Sequence, residues 1–255
     1  NNISFNASLI LSCSLLVVVE SHIAKTDSTL LLLSTISYLT FFKYYKGINK
    51  NKVLDFLVLW GSLGLSVLIK GPVLLILFIF SLIFLSIVKR DIKWIRVLMP
   101  LRGILLVIIV SVPWFFMLSY EEQKNFLQES LIHDFLGKTI RSQENHGAYP
   151  GFHSLGVLIF LFPFSIFIFP LFNYLKINYK NENILFLLSW ILPCFLIMEF
   201  IPTKLPHYTL PVYPAIALAM SSALSNFKDN RSLFNTKIAY LGYIIYFVIS
   251  NILIS

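Results

Sequence analysis

Residues 53–89 read VLDFLVLWGSLGLSVLIKGPVLLILFIFSLIFLSIVK. Two apolar runs, 53–69 and 72–88, are divided only by Lys70-Gly71-Pro72. Each run approaches the roughly 20 residues that an α-helix needs to cross the hydrocarbon of a bilayer, and flanking side chains that snorkel to the headgroups shorten that requirement. Gly71 lets the chain turn, and Pro72 suits the start of the next helix. The stretch predicts two antiparallel membrane helices joined by a tight hairpin, with Lys70 at its tip.

Similar runs recur at residues 3–19, 28–45, 103–119, 153–173, 183–200, 206–224 and 238–254, which makes about nine spans. Composition agrees: 57% of the 255 residues are hydrophobic and 13% are charged, against about 25% charged in soluble domains. The expected fold is an all-α, polytopic transmembrane helical bundle forming one membrane-embedded domain over residues 1–255. The chain opens Asn1-Asn2-Ile3 and stops at Ser255 within an apolar segment, so the domain is expected to be incomplete at both ends. In the longest polar interval, 120–152, Phe126, Leu127, Leu131, Phe135 and Leu136 recur at helical spacing and predict an interfacial helix on the outer side. Cys13 and Cys194 sit inside apolar runs and imply neither a disulfide framework nor a cysteine metal site.

Charge sets the orientation. Alternate loops hold 14 of the 20 basic residues, from Lys43, Lys46, Lys50 and Lys52 through Lys89 to Arg102, Lys176 and Lys180, to Lys228, Arg231 and Lys237. The opposite loops hold six basic residues and eight acidic ones. The positive-inside rule places the first set in the cytoplasm. The net charge of +8 is thereby accounted for by topology, without nucleic acid. Every polar motif of interest then falls on the outer side, where an active site at the membrane-water boundary is the natural reading.

Four outer segments carry candidate chemistry. Glu20-Ser-His-Ile-Ala-Lys-Thr-Asp27 offers two carboxylates, an imidazole and a lysine, or else a solvated loop with Asp27 capping the next helix. Lys70 suits a lipid phosphate, or snorkels. In the 138–153 segment Lys138 and Arg141 suit phosphate and Glu144 and His146 suit a divalent cation, or else the segment is a generic polar loop, since no HExxH or paired-cysteine spacing makes that metal specific. Pro202-Thr-Lys-Leu-Pro-His-Tyr-Thr-Leu-Pro-Val-Tyr-Pro214 places Lys204, His207, Tyr208 and Tyr213 among four prolines, where charge resists hydrocarbon. A proline-rich interfacial turn accounts for Tyr213. It accounts less well for Lys204 and His207, which suit an anion.

Taken in order, Ala24 to Asp27 before a span, Lys70-Gly71-Pro72, Pro113-Trp114-Phe115, Glu144 to Gly151, Pro163, and Thr203 to Tyr208 leading to Tyr213-Pro214 resemble the GT-C membrane glycosyltransferases. The similar branch is the bacterial protein O-mannosyltransferases and lipid A aminoarabinose transferases. The resemblance implies transfer of a sugar from a polyprenyl-phosphate-linked donor to a lipid, glycan or protein acceptor, with inversion, outside the bacterial inner membrane. It implies Asp27 as the acidic catalytic residue, Lys70 and Lys204 as cations for the donor phosphate, His207 and Tyr208 as lining the phosphate carrier's site, and His146 as a metal or phosphate contact. Local chemistry adds Lys138 and Arg141 as donor phosphate contacts and Glu144 as a partner of His146 for a divalent metal. It also implies that the family's principal catalytic carboxylate lies in an outer loop before residue 1. Two other classes stand beside this one: a noncatalytic remnant or subunit, and a transporter, for which ionisable groups near mid-membrane in broken helices are expected.

Overall fold

The computed structural model describes residues 2–117 and 149–227, with single positions or short pieces at 120, 122, 240, 243–244, 246–248 and 251. Every regular element among them is helical: α1 Asn2–Cys13, α2 Leu15–Ser21, α3 Asp27–Lys46, α4 Lys52–Lys70, α5 Val73–Lys89, α6 Pro100–Met117, α7 Phe152–Phe160, α8 Ile168–Asn178, α9 Glu182–Phe200 and α10 Tyr213–Phe227. Short 3-10 turns cover Lys93–Leu98, Phe164–Phe167 and Pro206–Val212.

The hairpin forms as its sequence requires. α4 stops at Gly71, whose φ of 69° is one that a side chain resists, and α5 starts after Pro72. α3 and α4 pack as a second antiparallel pair, closed by an ion pair at each end. Lys43 Nζ meets Asp55 Oδ1 at 2.8 Å at one end, and Lys70 meets Asp27 at the other. α6 lies against α4 because Gly103 leaves room for the Trp60 ring, whose Nε1 donates to the Leu98 carbonyl at 2.9 Å.

The core is aromatic. Tyr38 stacks on Trp190 at 4.1 Å, with Phe41, Phe78 and Phe186 around it. Its hydroxyl reaches Ser81 Oγ at 2.6 Å, so burying it leaves no polar atom stranded. Buried serines Ser37, Ser62, Ser66 and Ser189 donate to a carbonyl of their own helix, the local solution for a hydroxyl away from water. By length and composition α4 and α9 each suffice to cross a membrane, and α5 and α6 are shorter apolar helices.

Three expected spans need correction. The run 3–19 is broken at Ser14, where α1 and α2 meet at 59°; Ser14 Oγ bonds back to the Ile10 carbonyl at 2.5 Å. The run 153–173 turns by 120° between α7 and the segment from Phe164, because Pro163 has no N–H to continue the ladder. The two breaks face each other, and the Leu15 amide donates to the Phe162 carbonyl at 2.9 Å. The run 206–224 starts as a helix only at Tyr213, since Pro206 and Pro211 hold Pro206–Val212 in a tight turn outside the spanning helices. The interfacial helix and most of the ninth span lie outside the described residues.

Candidate functional site

α2 ends, α3 begins and α4 ends at one pole of the bundle, and the Pro206–Val212 turn lies against them. Ser34 Oγ of α3 pins that turn by donating to the Pro211 carbonyl at 2.7 Å. The polar side chains of four separate segments converge as a result. Lys70 donates to Asp27 Oδ1, and its ammonium is 5.9 Å from the centre of the Tyr208 ring. His207 Nδ1 is 3.5 Å from Glu20 Oε1, and Lys25 is 4.0 Å from Glu20 Oε2. Ligand atoms of Glu20, Asp27 and His207 all lie within 4.8 Å of one another.

Burial sharpens this chemistry. Asp27 and Glu20 are 4% and 5% exposed, so each carboxylate is largely out of water and depends on its neighbours. Burial, with the Lys70 ammonium nearby, pushes the His207 imidazole down to about 4, and at neutral pH it is uncharged. The pole therefore presents two carboxylates, two ammonium groups and a neutral imidazole, an arrangement able to hold an anion or a cation.

Of the residues expected from sequence, Asp27, Lys70, His207 and Tyr208 come together here. Lys138, Arg141, Glu144 and His146 lie outside the described residues. Lys204 is turned inward: Nζ donates to the carbonyls of Glu199, Ile201 and Met198 at 2.7, 3.0 and 3.2 Å, and pairs with Glu199 Oε2 at 3.6 Å. All three ammonium hydrogens have acceptors within the protein.

Glu199, at the end of α9, also accepts from Gly151 N, Ser154 N and Ser154 Oγ, each at 2.8 Å. It caps the N-terminus of α7 from another helix. His153 beside it is fully buried, 6.4 Å from the Tyr208 ring, with no hydrogen bond to either nitrogen among the described residues. The sequence gives Glu199 and His153 no specific role, and it offers Glu20 and Lys25 only as part of a segment that reads equally as a solvated loop. A carboxylate at the apolar end of a span was the available signal for Glu199.

The same fold appears in a solved structure. ArnT from Cupriavidus metallidurans bound to undecaprenyl phosphate superposes with a TM-score of 0.76 over 88% of this chain, at 21% identity. The chain has the ArnT fold. Apo ArnT from the same organism gives 0.75 at 20% identity. Residues 1–116 match the model of the dolichyl-phosphate-mannose-protein mannosyltransferase family. Two uncharacterised proteins of Aquifex aeolicus (strain VF5) are 28% and 26% identical over 86% and 81% of the chain. The chain spans 42% and 44% of those relatives and 41% of the first ArnT chain, less than half of each. In this ArnT fold the family match contains Glu20, Asp27 and Lys70, and the Pro206–Val212 turn adds His207 and Tyr208 from beyond it.

Proposed function

We propose that the chain forms the lipid-carrier side of a membrane glycosyltransferase that moves a sugar from a polyprenyl-phosphate donor to a lipid, glycan or protein acceptor on the outer side of the membrane. The observation that carries this reading is the convergence of Asp27, Lys70, His207 and Tyr208 at one pole of an ArnT fold. Lys70 is the cation for the donor phosphate, held in place by Asp27. Tyr208 lines the carrier beside it. Transfer with inversion forms one bond, from an acceptor oxygen to the anomeric carbon, as the bond from that carbon to the phosphate oxygen breaks. The electron pair leaves on the phosphate, where an ammonium aimed at the developing charge lowers the barrier. The acceptor proton passes to a carboxylate. Lys138, Arg141, Glu144 and His146 join the set on sequence alone.

The two broken spans favour transport as a second reading, since discontinuous helices line transporter sites. Against it, the ionisable cluster sits where α3 begins and α4 ends, rather than at the breaks.

Binding of farnesyl phosphate by the purified chain in nanodiscs tests the carrier role. Saturable binding that Lys70→Ala weakens about 10- to 100-fold, the range of a charge-assisted hydrogen bond, supports it. Equal binding by Lys70→Ala overturns it.

A further inference from the structure

The transfer reading leaves one carboxylate oxygen unused. Glu20 is 5% exposed, and its Oε2 accepts no hydrogen bond among the described residues. The Lys25 ammonium stands off at 4.0 Å with its side chain 44% exposed, too far to donate. A buried carboxylate oxygen without a donor calls for a closer positive partner.

Two neighbours offer the rest of a coordination sphere. His207 Nδ1 and Glu20 Oε1 are 3.5 Å apart and share no hydrogen bond. Two atoms that bind one ion at about 2.1 Å each and at a tetrahedral angle lie about 3.4 Å apart. The pair is therefore spaced as two ligands are. Asp27 engages Lys70 through Oδ1, and one of its carboxylate oxygens lies within 4.8 Å of a donor atom of Glu20 and of His207. The three donors come from the end of α2, the start of α3 and the Pro206–Val212 turn, so the tertiary fold rather than a local loop assembles them.

We infer that Glu20, Asp27 and His207 form a binding site for a divalent cation of the Zn²⁺ or Mn²⁺ class, with its remaining positions left to water or to an anion. Two carboxylates and one imidazole suit those borderline ions. The donor set shares no residue with the Glu144 and His146 pair suggested by sequence. It rests on the donor set, whatever sugar or acceptor the protein serves. A cation here also competes with Lys70 for Asp27, so occupancy loosens the Lys70 ammonium for an anionic partner.

The test uses the purified chain in nanodiscs, stripped with a chelator and titrated with Co²⁺, whose visible bands report coordination where Zn²⁺ is silent. One saturable equivalent with the bands of a four- or five-coordinate ion is expected, with a rise in Tm. Glu20→Gln and His207→Gln should each weaken binding at least about tenfold. Glu144→Gln with His146→Gln should leave an equivalent bound. Glu20→Gln keeps the volume of the side chain and carries the test should His207→Gln fail to fold. Absence of saturable binding, binding unchanged in Glu20→Gln, or binding lost only in the Glu144 and His146 double variant overturns the site. No sugar or lipid phosphate is present, so this result is independent of the carrier test.

Discussion

Lys204 closes back onto Glu199, five residues before it: Nζ is 2.7 Å from the Glu199 carbonyl and 3.6 Å from its carboxylate. The carboxylate in turn holds the start of α7 through Gly151 and Ser154. A single lysine thereby ties the end of α9 to the beginning of α7.

Removing that lysine takes its ammonium donor from three carbonyls, while the Glu199 carboxylate keeps its bonds from Gly151 and Ser154. Lys204→Ala and Lys204→Met should each cost about 1–3 kcal/mol, as when a buried acceptor loses its donor. Thermal melts in detergent measure this. An unchanged Tm together with weakened lipid-phosphate binding would return Lys204 to the anion site.

Gly103 of α6 and Gly61 of α4 separate cleanly. A methyl group at Gly103 overlaps the Trp60 indole, whereas at Gly61 it meets nothing within 4 Å. Gly103→Ala should destabilise by about 1–3 kcal/mol, the range for overpacking. Gly61→Ala should be neutral or stabilising by up to about 1 kcal/mol, through its gain in helix propensity. A paired thermal comparison decides, and equal shifts would refute the packing account.

The two ion pairs at the other pole should also behave differently. Asp55 is 5% exposed and joined to Lys43, in the first turn of α4, where a negative charge also complements the helix dipole. Glu182 is mostly exposed, and its pair with Lys46 at 2.9 Å is shared with water. Asp55→Ala should lower Tm clearly, and Glu182→Ala should leave it within error.

Orientation is open to labelling. In a variant lacking Cys13 and Cys194, an impermeant thiol reagent applied from outside should modify Tyr149→Cys, whose native side chain is 91% exposed. It should spare Lys50→Cys. The reverse pattern overturns the charge-based topology.

Much of the bundle was legible because each helix carries its own signal. Lys70-Gly71-Pro72 announced a hairpin, and one is there. The runs behind α3, α4, α5 and α9 were read to within a few residues, since apolar length and terminal charge are local properties. The breaks at Ser14 and Pro163 are not legible, because hydropathy averages over a window and is blind both to a bend and to the one N–H missing at Pro163. The candidate site was half legible. Asp27, Lys70, His207 and Tyr208 stand in recognisable motifs, but nothing in the sequence says which way a lysine turns. Lys204 and Lys70 look alike on the page, and they differ only because α9 ends with unpaired carbonyls within reach of the first. Glu20 and His207 lie far apart in sequence and meet through tertiary packing alone.

The bond from the Leu15 amide to the Phe162 carbonyl makes two distant helix defects a single genetic unit. Straightening either span would orphan a peptide group of the other where water is scarce, so neither can be repaired alone. Substitutions at Ser14 and Pro163 should be epistatic, the second costing far less once the first is in place. A lineage that lost one bend would be under selection to lose both.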